Sequence, residues 1–357
     1  MIVGLHLPPQ EEYDLIPSPN RAFPPRFGRF IGVFLMLGFL ASSIDSEGAP
    51  GMDKRVLPPY HSAQPITQPK LFSDTQVSTG DYESHPAFDV ARRVVYFVKS
   101  TPNRRFGAIL SSPYEGAWSL PALVPFTGKY SDRSPFLTPD GARLYYSSDR
   151  TADDYDGAVA KGDFDIWYVE RKADSTWSEP KTLAAVNGPA NEGDPALAKD
   201  GTFYFTSDRT GGKGQNDLWR CRVVNGNLGP AENLGDSVNT VGNESDPRVA
   251  PDQSYMIFTS DRPGGRGGLD LYVAYRRGDH WSQAVNLGEP VNSAADELSP
   301  CISPDGEYFF WTSCRSMFDV TRDRRWEYSE LLGRLRRSRN GLGDIYQIDL
   351  SALGIHP

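Results

Sequence analysis

Cysteine and histidine are scarce in this sequence, and their scarcity limits the chemistry that the chain can carry. Three cysteines and five histidines occur among 357 residues. With so few histidines, a histidine-rich metal centre or a Ser-His-Asp triad is poorly supported. The chain also lacks the G-x-S-x-G, H-E-x-x-H and C-x-x-C motifs of common hydrolases, zinc enzymes and redox proteins. No motif therefore indicates an enzyme class.

The three cysteines, Cys221, Cys301 and Cys314, all fall in predicted strands. An odd number of them is compatible with buried, unpaired thiols. Cys301 and Cys314 flank one predicted hairpin, but its turn places Cys301 opposite a residue near Phe310. We therefore expect no disulfide between these two cysteines.

Positive charge is not in excess, and no apolar run has the length of a membrane span. The net charge is −9, which argues against a nucleic-acid binder that neutralises phosphates. The apolar run Phe30–Ala41 is shorter than the ~20 residues that a spanning helix needs. Arg26 and Arg29 precede it, and small residues follow, as in a signal peptide. An uncleaved membrane anchor is the alternative, whereas a lipoprotein anchor is excluded because no cysteine follows the run.

Glycine and proline, in contrast, are plentiful, as an all-β fold with many turns requires. A unit of roughly 50 residues with four short strands recurs five times, most clearly at Asn243–Leu287. A proline near the start of each copy, called the marker proline below, gives the series Pro86, Pro135, Pro195, Pro247 and Pro300. Repeats of this kind predict an all-β, five-bladed β-propeller of four-stranded antiparallel blades. Six blades are less favoured because no sixth repeat is visible.

Three recurring motifs carry a resemblance to a known family. They are the S-P-D-G turn (Ser303–Gly306), the S-D-R strand end (Ser260–Arg262) and the D-L-Y strand start (Asp270–Tyr272). The chain resembles the WD40-like PD40 repeats over about residues 66–350. Those repeats form the TolB-type propeller of bacterial envelope proteins, so the resemblance implies an interaction platform for an envelope lipoprotein. The N-terminal α/β domain of that family is not expected here, which leaves a Tol-system role open.

The repeats also divide the chain. We expect an N-terminal extension with a signal peptide or anchor over residues 1–45, and a Pro/Ser/Gly-rich linker over residues 46–65. The proline-rich residues 1–25 are unusual before a signal peptide and suggest a later translation start. Residues 66–357 form the propeller. Its last repeat lacks a fourth strand, and Gln68–Phe72 is expected to supply it, which would close the ring.

Each repeat carries an acid three residues before its marker proline. These strand-start acids are Glu83, Asp132, Glu192, Glu244 and Glu297. Two further acids, Asp194 and Asp246, lie directly before marker prolines, where the other repeats have His85, Ser134 and Ser299. If the innermost strands bring these groups to the channel mouth, they form a candidate site for Ca²⁺ or a cationic ligand. The alternative is that each acid caps a turn or pairs with an arginine.

The S-D-R and D-L-Y residues recur together and are absent together from the first repeat. In the complete copies they are Asp149, Arg150, Asp165, Asp208, Arg209, Asp217, Asp261, Arg262 and Asp270. Joint presence and absence predicts a structural network in which the arginines and aspartates satisfy each other or the loop backbone.

The segment Ser316–Leu342, called the insertion below, interrupts the fifth repeat and is rich in arginine. Its centre, WEYSELLGRLRR, predicts a short amphipathic helix. The candidate partner-docking residues are Arg324, Arg325, Trp326, Arg334, Arg336 and Arg337. The alternative is a decorated loop that folds back onto the acidic surface of the propeller.

Taken together, the sequence predicts an exported, non-enzymatic propeller, periplasmic or secreted and monomeric. Its partner would be an envelope protein or a cell-wall glycan, with membrane contact only through an N-terminal anchor. The alternative is a Ca²⁺-dependent carbohydrate-binding protein or a carbohydrate-active enzyme that uses the channel-mouth carboxylates.

Overall fold

Five antiparallel sheets follow one another along residues 57–151 and 163–355, the residues that the computed structural model describes. The first strand, β1 (Lys70–Leu71), belongs to the last sheet. Blade 1 contains β2 (Tyr82–Asp89), β3 (Val94–Ser100), β4 (Gly107–Pro113) and β5 (Ala122–Leu123). Blade 2 contains β6 (Asp132–Leu137), β7 (Arg143–Ser148), β8 (Asp165–Glu170) and β9 (Lys181–Thr182). Blade 3 contains β10 (Glu192–Leu197), β11 (Phe203–Ser207), β12 (Asp217–Val224) and β13 (Asn227–Asn233).

The remaining two blades complete the ring. Blade 4 contains β14 (Glu244–Val249), β15 (Tyr255–Ser260), β16 (Asp270–Arg277), β17 (His280–Trp281) and β18 (Val285–Asn286). Blade 5 contains β19 (Glu297–Ile302), β20 (Tyr308–Ser313) and β21 (Asp344–Asp349), to which β1 is added. A helix, α1 (Tyr328–Leu335), lies in the insertion, and a 3-10 helix (Leu350–Leu353) follows β21. The predicted five-bladed, all-β propeller is confirmed.

The innermost strand of each blade contacts the innermost strand of the next one. These contacts run from β2 through β6, β10 and β14 to β19, and β19 contacts β2 again. The second strands of blades 3 to 5, β11, β15 and β20, are buried along their whole length because neighbouring blades cover both faces. The core therefore lies between the sheets, where large side chains such as Trp311, Tyr204 and Phe258 are fully buried.

Strand β1 closes the ring as predicted. Lys70 pairs with Gln347 and Leu71 with Tyr346 on β21. Phe72 continues the contact, because its N–H donates to the Ile345 carbonyl at 2.8 Å. The first and last parts of the described chain thus share one sheet, in which β1 covers the edge of β21 and becomes the outermost strand of the fifth blade.

The packed body begins earlier than the composition indicates. Tyr60, within the segment assigned to a linker, is only 3% exposed. Its ring packs edge-on against Phe88 and Tyr308, and its carbonyl accepts a hydrogen bond from Gln347 at 2.9 Å. The apolar run Phe30–Ala41 and the first part of the linker lie outside the described residues.

Every innermost strand carries a β-bulge at its marker proline. The pairing register shifts there in all five blades. The residue before the proline has a φ between 51° and 54°, a left-handed conformation that residues other than glycine rarely adopt. Proline suits a bulge because it has no N–H that would need a ladder partner. The five residues concerned, called the axial residues below, are His85, Ser134, Asp194, Asp246 and Ser299.

The cysteines are unpaired, as expected. Cys301 lies opposite Phe310, the position that the hairpin turn predicted. Among residues 57–151 and 163–355, no helix is long and apolar enough to cross a bilayer.

Candidate functional site

The strand-start acids are buried inside their own blades. All five are 0% exposed: Glu83, Asp132, Glu192, Glu244 and Glu297. In blade 4, Glu244 accepts hydrogen bonds from the backbone N–H (2.8 Å) and the hydroxyl (2.7 Å) of Thr240, in the connection before the strand. The Ser260 hydroxyl of the S-D-R motif donates to the same carboxylate at 2.7 Å. These carboxylates therefore cap the connections between blades.

A basic side chain neutralises each of these acids. The N–O distances are 3.2 Å for Lys99–Glu83, 2.7 Å for Arg150–Asp132, 3.0 Å for Arg209–Glu192, 3.1 Å for Arg262–Glu244 and 3.5 Å for Arg315–Glu297. The expectation that these five acids circle the channel mouth is wrong. The alternative, a capped turn with an arginine partner, describes blades 2 to 5, and a lysine takes that place in blade 1.

Burial changes the pKa values of three of these acids. It raises the pKa of Glu83, Asp132 and Glu297 above the ordinary value, against the lowering effect of the hydroxyl donors and the basic partners. The hydrogen bonds and ion pairs are thus needed to hold these carboxylates inside the blades.

The two aspartates of the recurring motifs bind loop backbone, which confirms the predicted structural network. Asp261 accepts hydrogen bonds from the N–H and the side-chain amide of Asn243, at 2.6 and 2.7 Å. Asp270 accepts the N–H groups of Arg266 and of Gly267, the latter at 3.1 Å. A Cβ on Gly267 would lie 1.8 Å from the Ala295 carbonyl oxygen, so only glycine fits this close approach.

Asp344 occupies the same position in blade 5, but the insertion replaces the glycine loop there. One of its carboxylate oxygens accepts the Arg339 N–H at 2.6 Å. The other is buried without a hydrogen-bond partner among the described residues. Burial, with the negative charges of Glu83 and Asp74, raises the pKa of Asp344 to about 7.

The raised pKa of Asp344 predicts a pH-dependent stability. Between its ordinary pKa and about 7, the folded protein binds a proton that the unfolded chain has lost. The contribution of Asp344 to stability is therefore lost as the pH rises through that window, by roughly 1.4 kcal/mol per unit of pKa difference. In urea titrations from pH 4.5 to 8, the Asp344→Asn variant should lose less stability than the unmodified protein. Parallel curves for the two proteins would contradict the assignment.

The axial residues meet around a small cavity at the centre of the ring. The cavity has a volume of about 10 Å³ and receives one axial residue from each blade. His85 Nε2 lies 3.0 Å from Asp246 Oδ1 and 3.0 Å from Ser299 Oγ. Ser134 Oγ donates to Asp194 Oδ1 at 2.6 Å. The structure thus brings together two of the seven predicted ligand-binding residues, Asp194 and Asp246.

The two axial carboxylates have different electrostatic environments. Burial and the negative charge of Asp246 raise the pKa of Asp194. For Asp246, burial acts in the same direction but is outweighed by the charge and hydrogen bond of His85, so its pKa is lowered. The Asp246 N–H also donates to Asp194 Oδ2 at 3.2 Å. His85, Asp194 and Asp246 each offer one ligand atom, all within 4.8 Å of one another, so these three could hold a metal ion.

The docking candidates of the insertion fall into two groups. Trp326 lies between the guanidinium groups of Arg322 and Arg334, 4.7 and 4.5 Å from its ring centre. Arg324 and Arg334 both bind Glu330, at 3.0 and 3.2 Å. These contacts stiffen the insertion from within. The other candidates are exposed and form no ion pair in the described part of the chain: Arg325, Arg336 and Arg337.

The insertion is anchored to the connection before blade 1. Ser338 donates to Asp74 at 2.9 Å, and Asn340 donates to the Gly80 carbonyl at 3.0 Å. A Cβ on Gly80 would lie 2.5 Å from the Arg336 backbone. The predicted helix is present as α1, and none of its residues is buried. The insertion therefore presents α1 to solvent from a fixed base.

A second cavity, of about 670 Å³, lies where the insertion joins the propeller. It is lined by Arg315, directly before the insertion, and by Arg339 within it, together with Tyr346 and Arg266. The Arg315 guanidinium forms an ion pair with Glu297 and donates a hydrogen bond to the Val291 carbonyl. Arg266 forms an ion pair with Glu289, so both arginines already have partners in the protein.

The comparisons with known proteins find only weak similarities to this chain. No protein-family model matches the chain, and a search of curated proteins finds no similar sequence. Among solved structures, a protein of Agrobacterium tumefaciens assigned as TolB is 17% identical, with a TM-score of 0.44 over 76% of this chain and 91% of that one. TolB from Acinetobacter baumannii is 14% identical, with a TM-score of 0.42 over 75% of this chain. The match spans about half (54%) of that TolB chain.

An enzyme is similar to the same degree. An α-L-arabinofuranosidase from Lactobacillus brevis is 13% identical, with a TM-score of 0.47 over 77% of this chain and 92% of that one. Similarities this weak assign neither a family nor an activity. The membership in the PD40 family that the motifs suggest stays a prediction, and the five-bladed fold rests on the chain's own strand order.

Proposed function

We propose that this protein is an exported, non-enzymatic binding protein of the bacterial cell envelope. Its partner is an acidic protein segment that docks on the insertion. The observation that carries this proposal is an anchored helix with no buried residue, beside which three exposed arginines form no ion pair with any described residue. A helix that buries no apolar side chain contributes little to the core, so we assign it a role in contact with a partner.

The surface of the insertion combines charge with exposed apolar groups. Tyr328 is 76% exposed, Val320 63% and Leu335 48%. The insertion contains seven arginines and four acids, within a chain of net charge −9. Arginine and tyrosine are the side chains that dominate protein interfaces, and unpaired guanidinium groups favour carboxylates. An acidic segment with an apolar residue or two fits this surface better than a neutral one.

The interior of the ring supports binding over glycan cleavage. Carboxylate-based cleavage needs two carboxyl groups about 5–10 Å apart that both reach the sugar. Glu192, Glu244 and Glu297 are fully buried and hydrogen-bonded, so they do not reach a ligand. Asp194 and Asp246 border a cavity of about 10 Å³, which is too small for a sugar ring.

Export is supported by the sequence alone. The apolar run Phe30–Ala41, with two arginines before it and small residues after it, is typical of a signal peptide. A periplasmic or secreted location would place the insertion among envelope proteins.

Charge reversal on the insertion tests the proposal. The variant carries Arg325→Glu, Arg336→Glu and Arg337→Glu, and binding to an array of Asp- and Glu-rich peptides is measured by interferometry. We expect binding to fall at least about tenfold, since each lost charged hydrogen bond contributes roughly 1.5–3 kcal/mol. Proteins captured from an envelope extract then identify the natural sequence.

A matched control separates docking from net charge. Lys172, Lys199 and Arg277 are exposed, form no ion pair among the described residues and lie outside the insertion, so their reversal to glutamate makes the same charge change. Binding should survive in this control. Equal loss in both variants, or binding only to anionic cell-wall glycan, would contradict an acidic protein partner.

A further inference from the structure

We propose that the centre of the ring binds one divalent transition-metal ion, Zn²⁺ or Mn²⁺, through His85, Asp194 and Asp246. This site lies outside the insertion and does not depend on the docking proposal. It shares Asp194 and Asp246 with the Ca²⁺ site expected from the sequence, but it adds His85, leaves out the five strand-start acids and takes a different metal.

The geometry fits a single ion. One ligand atom from each of the three side chains lies within 4.8 Å of the other two. With metal–ligand bonds of about 2.0–2.2 Å, ligand atoms on opposite sides of an ion are at most about 4.4 Å apart. A small inward shift of the side chains would therefore complete the site. The adjoining cavity of about 10 Å³ is close to the volume that one water-sized sphere needs.

Within the described ranges, no lysine or arginine forms an ion pair with either axial carboxylate. Each strand-start acid has a lysine or arginine partner, whereas no ion pair joins Asp194 to a basic side chain among the described residues. His85 pairs with Asp246 alone. Placing two carboxylates beside one imidazole in a half-buried site is costly unless a cation compensates them.

Two nearby arginines carry charge but form no ion pair with Asp194 or Asp246 in the described part of the chain. Arg248 borders the cavity, but its Nε donates to the Pro300 carbonyl at 3.2 Å and its guanidinium lies 5.1 Å from the Phe136 ring centre. Arg133 lies 4.5 Å above the Phe164 ring and donates to the Arg105 carbonyl at 2.9 Å. Both are occupied elsewhere.

The donor set favours a transition metal over Ca²⁺. Imidazole nitrogen suits Zn²⁺ and its neighbours, whereas Ca²⁺ takes six to eight oxygen ligands. His85 Nδ1 lies 2.8 Å from Ser84 Oγ, a contact that orients the ring and leaves Nε2 toward the cavity. Thr259 donates to Asp246 Oδ2 at 2.9 Å and fixes that carboxylate. The hydroxyls of Ser134 and Ser299 offer two further oxygens.

The backbone holds the three ligands in place. His85, Asp194 and Asp246 all occupy bulge positions with φ of 53°, 51° and 53°. The bulges turn these side chains toward the axis from strands of three different blades. A site built on strands in this way is positioned more rigidly than one built on loops.

Metal binding by the tag-free full-length protein tests the proposal. After chelator treatment, the protein is dialysed against Zn²⁺, Mn²⁺ or Ca²⁺, and bound metal is measured by elemental analysis. We expect one Zn²⁺ or Mn²⁺ per chain, binding weakened at least roughly tenfold in His85→Gln and in Asp194→Asn, and a higher melting temperature with metal. The control Asp252→Asn, which changes an exposed turn aspartate, should bind like the unmodified protein.

Spectroscopy on the unmodified protein keeps the test decisive if the variants fail to fold. X-ray absorption at the zinc edge should show one imidazole and at least two oxygen ligands at about 2.0–2.2 Å. No stoichiometric binding, an ion without imidazole, tighter binding of Ca²⁺ than of Zn²⁺ or Mn²⁺, or binding that survives in both folded variants would each overturn the proposal.

Discussion

Replacing Glu244 with alanine will destabilise the protein by about 3–5 kcal/mol, the usual cost of removing one partner of a buried ion pair. The change leaves the Arg262 guanidinium, 12% exposed, without its carboxylate. It also removes the acceptor of the Thr240 N–H and hydroxyl and of the Ser260 hydroxyl. Urea denaturation followed by circular dichroism measures the loss.

Two further variants identify the cause. Glu244→Gln keeps the shape and part of the hydrogen bonding, so it should cost less than alanine while still losing the charge. Asp252→Asn, in an exposed turn, should change stability by no more than about 0.5 kcal/mol. If Glu244→Ala costs less than about 1 kcal/mol, the strand-start acids are not the capping elements described here.

The number of blades and the closing strand could be predicted because both follow from the spacing of the repeats along the sequence. The marker prolines recur at blade-sized intervals, and the last repeat visibly lacks the strand that Gln68–Phe72 supplies. Strand β15 could be predicted as buried on both faces because its apolar run is uninterrupted. Both the spacing of the repeats and the length of an apolar run can be read from a single sequence without knowledge of the three-dimensional contacts.

The orientation of the strand-start acids could not be predicted in the same way. In a regular strand, Glu192 and Asp194 would point to the same face, since side chains alternate with a period of two. The bulge at Asp194–Pro195 breaks that alternation, so the glutamate turns into the blade and the aspartate toward the axis. Aspartate and histidine enter the left-handed region more often than most residues, but this preference does not single out one position in the sequence. The sequence signal for the axial position is that the residue directly precedes a marker proline, and this signal identifies His85 as well as the two aspartates.

The insertion shows a similar limit. Its helix and its arginines are evident from the sequence, but the division of labour among the arginines is not. Arg334 packs on Trp326 and forms an ion pair with Glu330. Arg336, two residues later, is exposed and forms no ion pair with the residues that the structure describes. That difference depends on how the segment returns to the propeller at Gly80, a contact about 260 residues away in the chain.

Deleting residues 66–75 will remove the cooperative unfolding transition or lower its midpoint by more than 10 °C. The deletion takes away β1 and with it the pairing to β21, and it removes Phe72, which is 3% exposed and packs on Phe88 and Phe310. A buried phenylalanine alone is worth about 3–5 kcal/mol, against a total stability of about 5–15 kcal/mol. Thermal melting by circular dichroism measures the effect.

The unpaired edge of β21 should have a second consequence. A bare strand edge with neighbouring apolar side chains is a template for association, so the deletion variant should form oligomers in size-exclusion chromatography. A chain that lacks only residues 1–56 keeps β1, and it should melt like the full protein and elute without additional oligomers. Phe72→Ala, which keeps the strand and loses the side chain, should fall between the two. An unchanged melting temperature after the deletion would mean that the ring is stable without its closing strand, because contacts between the blades would then suffice to hold β21 in place.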